Sequence, residues 1–264
     1  MKNKNLILMV ITLLTTVGMM ASTPITLAKG SKAGLYISYD YLKSSDNYVD
    51  NACLTFNGND WKTETELVWK NLYSRAEFYV YYPYIGNILD ARAVNFSVNE
   101  DQSTAEAFAA SDFLYGKTGA SPEDGLPKPS LHHIFSKIVI KVKAGDGFTD
   151  EELKAGDISV RIKDVCTQAE INLEHGDVRS KGTNKNIKSF ENEPLSFSVV
   201  VVPQRVGKLS VVWNNIEYVV SVERDLGRGL LYTLTATLKK TSSGINISIG
   251  GWEDSGEDFG GTVN

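Results

Sequence analysis

An all-β chain built as two β-sandwiches in tandem is what this sequence predicts, on three observations. Short segments rich in Val, Ile, Thr and aromatic residues recur about every 8–12 residues with turn residues between them, giving about twelve to fourteen strands and almost no helix. Residues 119–129 hold Pro122, Pro127, Pro129, Gly119 and Gly125, which remove backbone donors and pre-set turns, so no regular element runs through them. Just beyond, Phe135, Lys137, Val139, Lys141 and Lys143 alternate with Ser136, Ile138, Ile140 and Val142, the pattern of a half-buried strand with its lysines outward. That strand opens a second unit. The expected division is a signal peptide at 1–28, an N-terminal sandwich at 29–126 and a C-terminal sandwich at 127–264.

The leader comes first. Lys2 and Lys4 precede an apolar run at 6–21, shorter than the roughly 20 residues that a spanning helix needs, and small residues suit cleavage after Ala28, with Ala21 as a second choice. Losing the two lysines takes the formal charge from −5 to −7. No later run is long or charge-free enough to be a spanning helix, so the product is expected outside the cytoplasm. No cysteine stands at the end of the leader, so a lipid anchor is not supported. The chain is 42% hydrophobic and 22% charged, which excludes a disordered or repetitive class, and its acidic balance points to no nucleic-acid partner. The two cysteines, Cys53 and Cys166, fall one in each unit and either form a single bridge or act as small buried hydrophobes.

In the first unit, 34–41 reads as a strand, 44–47 as a turn and 52–56 as a strand running into Asn57-Gly58, the strongest hairpin signal in the chain. The return strand starts at Trp61 or at Glu64. Residues 76–84 are aromatic and extended, with Pro83 confining their end to an edge or turn. Tyr79 and Tyr81 share a face and pack inward, while Tyr82 and Tyr84 share the other. Residues 94–98 form a further strand, and 105–112 lean helical over too short a span to organise anything. In the second unit, strands are expected at 158–162, 169–173, 195–202 up to Pro203, 209–213, 216–222, 230–238 and 245–249, with a turn at Asn214-Asn215. Residues 174–194 are polar and read as a long loop.

The search for chemistry yields little. His132 and His133 are neighbours on a strand and so face opposite ways, unable to serve one metal together, and His175 stands apart beside Glu174. The acidic runs at 146–152 and 253–258 lack the spacing of a calcium loop and read as solvated turns. No Gly-x-Ser-x-Gly elbow, phosphate loop or Cys-x-x-Cys pair occurs. No enzyme activity, cofactor or metal is therefore expected.

Several phrases in order resemble the fimbrillin family, the pilus subunits and fimbrillin-like surface proteins of Bacteroidetes: 78–84 with Tyr82 and Pro83; 111–116 with Asp112 and Gly116; 133–138 with His133, Ser136 and Lys137; 201–204 with Pro203 and Gln204; and 231–252 ending in Trp252. The resemblance implies transthyretin-like sandwiches, a structural role for those residues, and a place as a structural or accessory (tip or anchor) subunit of cell-surface fimbriae. In the family, an N-terminal strand is clipped and the vacated groove takes a strand from the next subunit. Implied partners are other fimbrial subunits, with a host protein or glycan as a further possibility. The tail after Trp252 offers only Phe259 and Val263 as apolar anchors, which makes it a poor donor. Residues 34–41, with Leu35, Ile37 and Tyr39 on one face, are the strand whose removal would open a groove, and Lys29, Lys32 and Lys43 are the nearby basic cleavage points. The alternative is a surface adhesin or glycan-binding module that does not polymerise.

Overall fold

The computed structural model describes residues 8–9, 27–125, 127–242, 244–250 and 253–258, the first and last of these by backbone alone. Most of the expected leader, and Trp252, lie outside them. The chain is all-β, with two short α-helices among the described residues.

The first half carries β1 (Leu8–Met9), β2 (Lys32–Ser38), β3 (Val49–Phe56), β4 (Trp61–Thr63), β5 (Leu67–Val68), β6 (Ala76–Tyr82), β7 (Val94–Ser97), α1 (Ala105–Ala109) and β8 (Leu114–Ala120). After the proline-rich joint come β9 (His132–His133), β10 (Ser136–Ala144), α2 (Asp150–Ala155), β11 (Ile158–Asn172) and β12 (Asp177–Lys188). The remainder is β13 (Phe190–Glu193), β14 (Ser196–Val201), β15 (Arg205–Trp213), β16 (Ile216–Asp225), β17 (Leu230–Thr241), β18 (Gly244–Ile249) and β19 (Glu253–Asp258).

One six-stranded sheet has the order β4-β3-β2-β6-β8-β9. Its hairpin lies where the sequence puts it: the Asn57 side chain accepts the amides of Asn59 and Asp60, Gly58 sits at φ +107°, and the return starts at Trp61. Successive residues point to opposite faces, and both faces are buried. Ala33, Leu35, Ile37, Leu54, Trp61, Phe78, Val80 and Leu114 form one compact cluster on the first face. Tyr36, Tyr79, Tyr81 and Tyr115 point the other way, into a larger cluster shared with the second half.

Two further sheets face each other in the second half. One has the order β13-β14-β10-β17-β18, with β19 also pairing β17. In it β10 is central, antiparallel to β14 and parallel to β17, and its alternation of buried Ser136, Ile138, Ile140 and Val142 with more exposed neighbours is as expected. The other has the order β12-β11-β15-β16, with β7 also pairing β11. Strands thus cross the joint in both directions: β7, from before it, pairs β11, and β9, from after it, completes the first sheet on β8.

Five expectations are corrected; the acidic run at 253–258, read as solvated turns, is β19, paired with β17. Residues 174–194 are largely strand, because β12 is a sheet edge that pairs β11 through its backbone while only Ile187 is buried, so it carries no apolar alternation to read. The separate strands at 158–162 and 169–173 are one, β11, broken in register by irregularities between Ile162 and Val165 and between Cys166 and Gln168; Asp164 takes φ +57° there. The acidic run at 150–152 begins a helix, with Thr149 accepting the Glu152 amide and the Glu152 carboxylate accepting the Thr149 amide. Tyr84 also departs from its expected side: β6 ends at Tyr82, the alternation stops at Pro83, and Tyr84 packs on the cluster that holds Tyr79 and Tyr81.

Candidate functional site: the seam between the sheets

Most of the residues singled out from sequence gather where the first sheet meets the other two. Phe113, leading into β8, stacks on Tyr81 of β6 with ring centroids 5.7 Å apart and planes at 5°. Phe96 of β7 meets Phe113 edge-on at 5.1 Å and Phe135 at 5.6 Å. These rings join three sheets through one apolar contact chain.

Polar fasteners surround it. Asp112, just before Phe113, holds the buried His133 at 2.6 Å from Nδ1 to Oδ2. His132 next to it is exposed, as strand alternation requires. Lys137 lies partly buried with its ammonium 5.6 Å from the Phe108 ring centroid. Burial pushes its pKa down, and the Asp112 charge pulls it up. Ser136 is fully buried and donates from Oγ to the Gly227 carbonyl at 2.8 Å. Gly116 allows β8 to pass the 127–131 segment, since a Cβ there would overlap the Ser130 carbonyl oxygen.

Pro203 stands two residues past the end of β14 at Val201. Gln204 then ties three segments: Oε1 accepts the Cys166 amide at 2.8 Å, Nε2 donates to the Cys166 carbonyl at 2.8 Å, and its carbonyl accepts the Leu226 amide at 3.0 Å. Tyr82 and Pro83 stand at the end of β6, where the Tyr84 amide donates to the Lys32 carbonyl at 2.9 Å and returns the chain beside β2. Ala28, the expected cleavage position, is exposed near the start of the described span that begins at Leu27. Cys53 and Cys166 are both free thiols, Cys166 lying 3.3 Å from Asn184 Oδ1.

Sequence reasoning missed Gln102. Fully buried, it donates from Nε2 to the Val200 carbonyl at 2.8 Å and accepts the Val200 amide through Oε1 at 2.9 Å, so one side chain acts as a missing strand against β14. It missed Asn51 too, whose Oδ1 accepts the buried Tyr81 hydroxyl at 2.6 Å. Isolated amides carry no periodic signal. Tyr82 and Tyr84 are half-buried; the exposed tyrosines are Tyr41, Tyr48 and Tyr73. Among the described residues no group of three or more His, Cys, Asp or Glu is placed to hold a metal ion, and no helix is long and apolar enough to cross a membrane.

The class that the fold and its seam define is an all-β chain whose marked side chains bind strand to strand. The chain is a member of the fimbrillin-like family, whose profile matches residues 21–252. Among solved structures it resembles a candidate cell adhesion protein of Bacteroides uniformis ATCC 8492, with a TM-score of 0.73 at 19% identity over 96% of this chain and 99% of that one. A second candidate adhesion protein, from Bacteroides ovatus ATCC 8483, gives 0.69 at 17% identity over 96% and 98%. A fimbrial protein of the same organism gives 0.55 at 18% identity, over 89% of this chain and 49% of that one. No curated protein matches the sequence. The family and these neighbours are fimbrial and adhesion proteins rather than enzymes.

Proposed function

We propose that this protein is exported to the cell surface and serves as a structural or accessory subunit of fimbriae that assembles by strand exchange, with no catalytic role. The observation that carries this is the position of β2. It is the first strand of the sheet, it lies between β3 and β6 with ladders to both, and every residue from Ala33 to Ser38 is buried. Taking it away leaves two unpaired strand edges flanking a slot once filled by Ala33, Leu35 and Ile37 on one face and Tyr36 on the other. Only another extended segment of matching alternation satisfies both the backbone and the apolar pockets. The units 29–126 and 127–264, with β7 and β9 exchanged across the joint, are proposed to act as one body in the assembly, with other fimbrial subunits as partners.

The test is the N-terminal residue of the protein recovered from sheared surface fibres. A start within 39–48, the loop that follows β2 and contains Lys43, supports exchange. A start at or before Lys29 in protein built into fibres overturns it and leaves the family assignment standing. A second reading, a surface adhesin that does not polymerise, is favoured by the names of the neighbours and by exposed aromatic side chains on the first half, Tyr73 at 83% and Tyr41 at 50%. Monomeric protein that binds host glycans or proteins while absent from fibres would decide for it.

A further inference from the structure

A cleft of about 290 Å³ opens beside the seam, lined by Tyr115, Lys117, Thr118, Lys128, Ser130, His132, Ile134 and Arg228. Three of these side chains are permanent cations in a chain whose formal charge is −5. They come from separate elements and are set in place by different means. Lys117 leaves β8 with its ammonium 4.9 Å from the Tyr79 ring centroid and 3.8 Å from Glu77 Oε2. Lys128 is exposed between Pro127 and Pro129, both buried, so the stiff proline segment turns it outward. Arg228 is held by its own backbone contacts, donating from Nη1 to the Gly176 carbonyl at 2.6 Å and to the His175 carbonyl at 3.3 Å, with Asp177 Oδ1 at 3.8 Å. Gly176, at φ +70°, lets that turn lie against the Tyr115 ring where a Cβ would collide.

Two acidic groups, Glu77 and Asp177, reach Lys117 and Arg228 at contact distances too long for a strong hydrogen bond, and among the described residues no ion pair engages Lys128. The cationic side of the cleft therefore has capacity left for an anion. Its remaining wall is mixed: hydroxyls on Thr118 and Ser130, and apolar surface from Ile134 and Tyr115. A bare inorganic anion would leave that apolar part unused, whereas a sugar ring presents an apolar C–H face together with hydroxyls.

We propose that this cleft binds one acidic sugar residue, its carboxylate held by Lys117, Lys128 and Arg228 and its ring resting on Tyr115 and Ile134. This goes beyond strand exchange and does not depend on it. Lys128 is the informative position, because its side chain is exposed and its removal disturbs no packing.

The experiment is calorimetric or NMR titration of the full mature chain at constant ionic strength with methyl glucuronide, N-acetylneuraminic acid, methyl glucoside and sodium sulfate. At least one of the two acidic sugars is expected to bind more tightly than methyl glucoside and sulfate. Lys128→Glu is expected to weaken that binding about tenfold or more, the worth of one charge-assisted contact, with the thermal midpoint unchanged, while Arg205→Gln on β15 has no effect. The proposal is overturned if neither acidic sugar binds at millimolar concentration, if methyl glucoside binds equally well, if Lys128→Glu leaves affinity unchanged, or if sulfate alone binds as tightly.

Discussion

The first sheet and the paired sheets of the second half solve the same problem, burying strands, in different ways. In the second half each sheet turns one face inward, and Ile138, Ile140, Val160, Ile162, Val199, Leu209, Val211 and Leu234 meet there as aliphatic side chains with no polar atoms to satisfy. The first sheet is buried on both faces. Its own cluster is self-contained, but its tyrosine face borrows its cover from the other half, with Tyr81 and Tyr115 in the same cluster as Ile134 and Phe135. Tyrosine suits that place because a ring fills an irregular contact while the hydroxyl finds a partner. Tyr81 finds Asn51 at 2.6 Å, and Tyr115 reaches the Glu174 carbonyl at 3.4 Å. The difference teaches that the joint at 119–129, which links β8 to β9 within one sheet, is not a gap between independent cores.

Cutting there is the severest way to break the comparison. Residues 127–264 alone lack β7 on β11 and the Gln102 clasp on Val200, leaving buried backbone groups unpaired. Thermal unfolding followed by circular dichroism is expected to show no cooperative transition for this piece. A transition as sharp as that of the 27–264 chain would mean that the two regions are independent after all.

Alkali sharpens the contrast next, because four buried tyrosines, Tyr36, Tyr79, Tyr81 and Tyr115, sit on the first sheet. Burial raises the Tyr79 pKa from 10.0 to about 12, with Glu77 and Glu174 adding to the rise and a hydrogen bond from the Leu42 backbone opposing it. Tyr36, Tyr81 and Tyr115 shift in the same direction, chiefly through burial. Below pH 10 both folded and unfolded chains keep these protons, so the contribution is full; above it the unfolded chain loses them first, and stability falls as pH rises. Lys137 works oppositely: its lowered folded pKa makes stability rise with pH in the window beneath 10.5. Tyrosine ionisation followed by ultraviolet absorbance should show a late class that titrates only as the chain unfolds. Titration of every tyrosine near pH 10 in a folded chain would contradict the burial of that face.

Single substitutions divide the regions by kind of damage. Leu234→Ala, in the aliphatic interior, is expected to cost about 2–5 kcal/mol by leaving a cavity. Tyr81→Phe keeps the ring and strands the Asn51 carbonyl, at a cost of about 1–3 kcal/mol. Denaturant midpoints at unchanged slope measure both. If Tyr81→Phe proves neutral, hydroxyl satisfaction is not what lets the first sheet bury its second face.

How much of this was legible follows from the same contrast. Residues with period-two alternation were readable wherever one face is solvated, so β10, β15 and β17 lie close to their expected places. The hairpins at Asn57-Gly58 and Asn214-Asn215 were legible because positive φ, taken by Gly58, Asn214 and Asn215, selects such residues. The edge strand β12 was not, since its backbone does the pairing and its side chains face water. Nor was the crossing of β7 and β9, since register between distant strands leaves no local trace. The phrases around Asp112, His133, Ser136 and Gln204 fall at the seam, but the clasp by Gln102 and the Asn51 acceptor depend on long-range geometry that one sequence does not display.

The smallest effect tests whether the cores, and not the rims, carry the difference. Arg205 on β15 lies 2.9 Å from Glu223 and 3.3 Å from Asp225 on β16, with its side chain 63% exposed. Water screens such a pair and two long side chains lose freedom to make it, so Arg205→Ala is expected to cost at most about 1 kcal/mol. Raising salt should shrink even that, because the charges lie in the solvent rather than beneath it. Denaturant unfolding of the variant at low and high ionic strength checks both statements. A cost approaching that of Leu234→Ala would show that the exposed margin at β15 and β16 supports the sandwich as strongly as its aliphatic interior, and the contrast with the tyrosine-faced sheet would then have to be sought in surface charge.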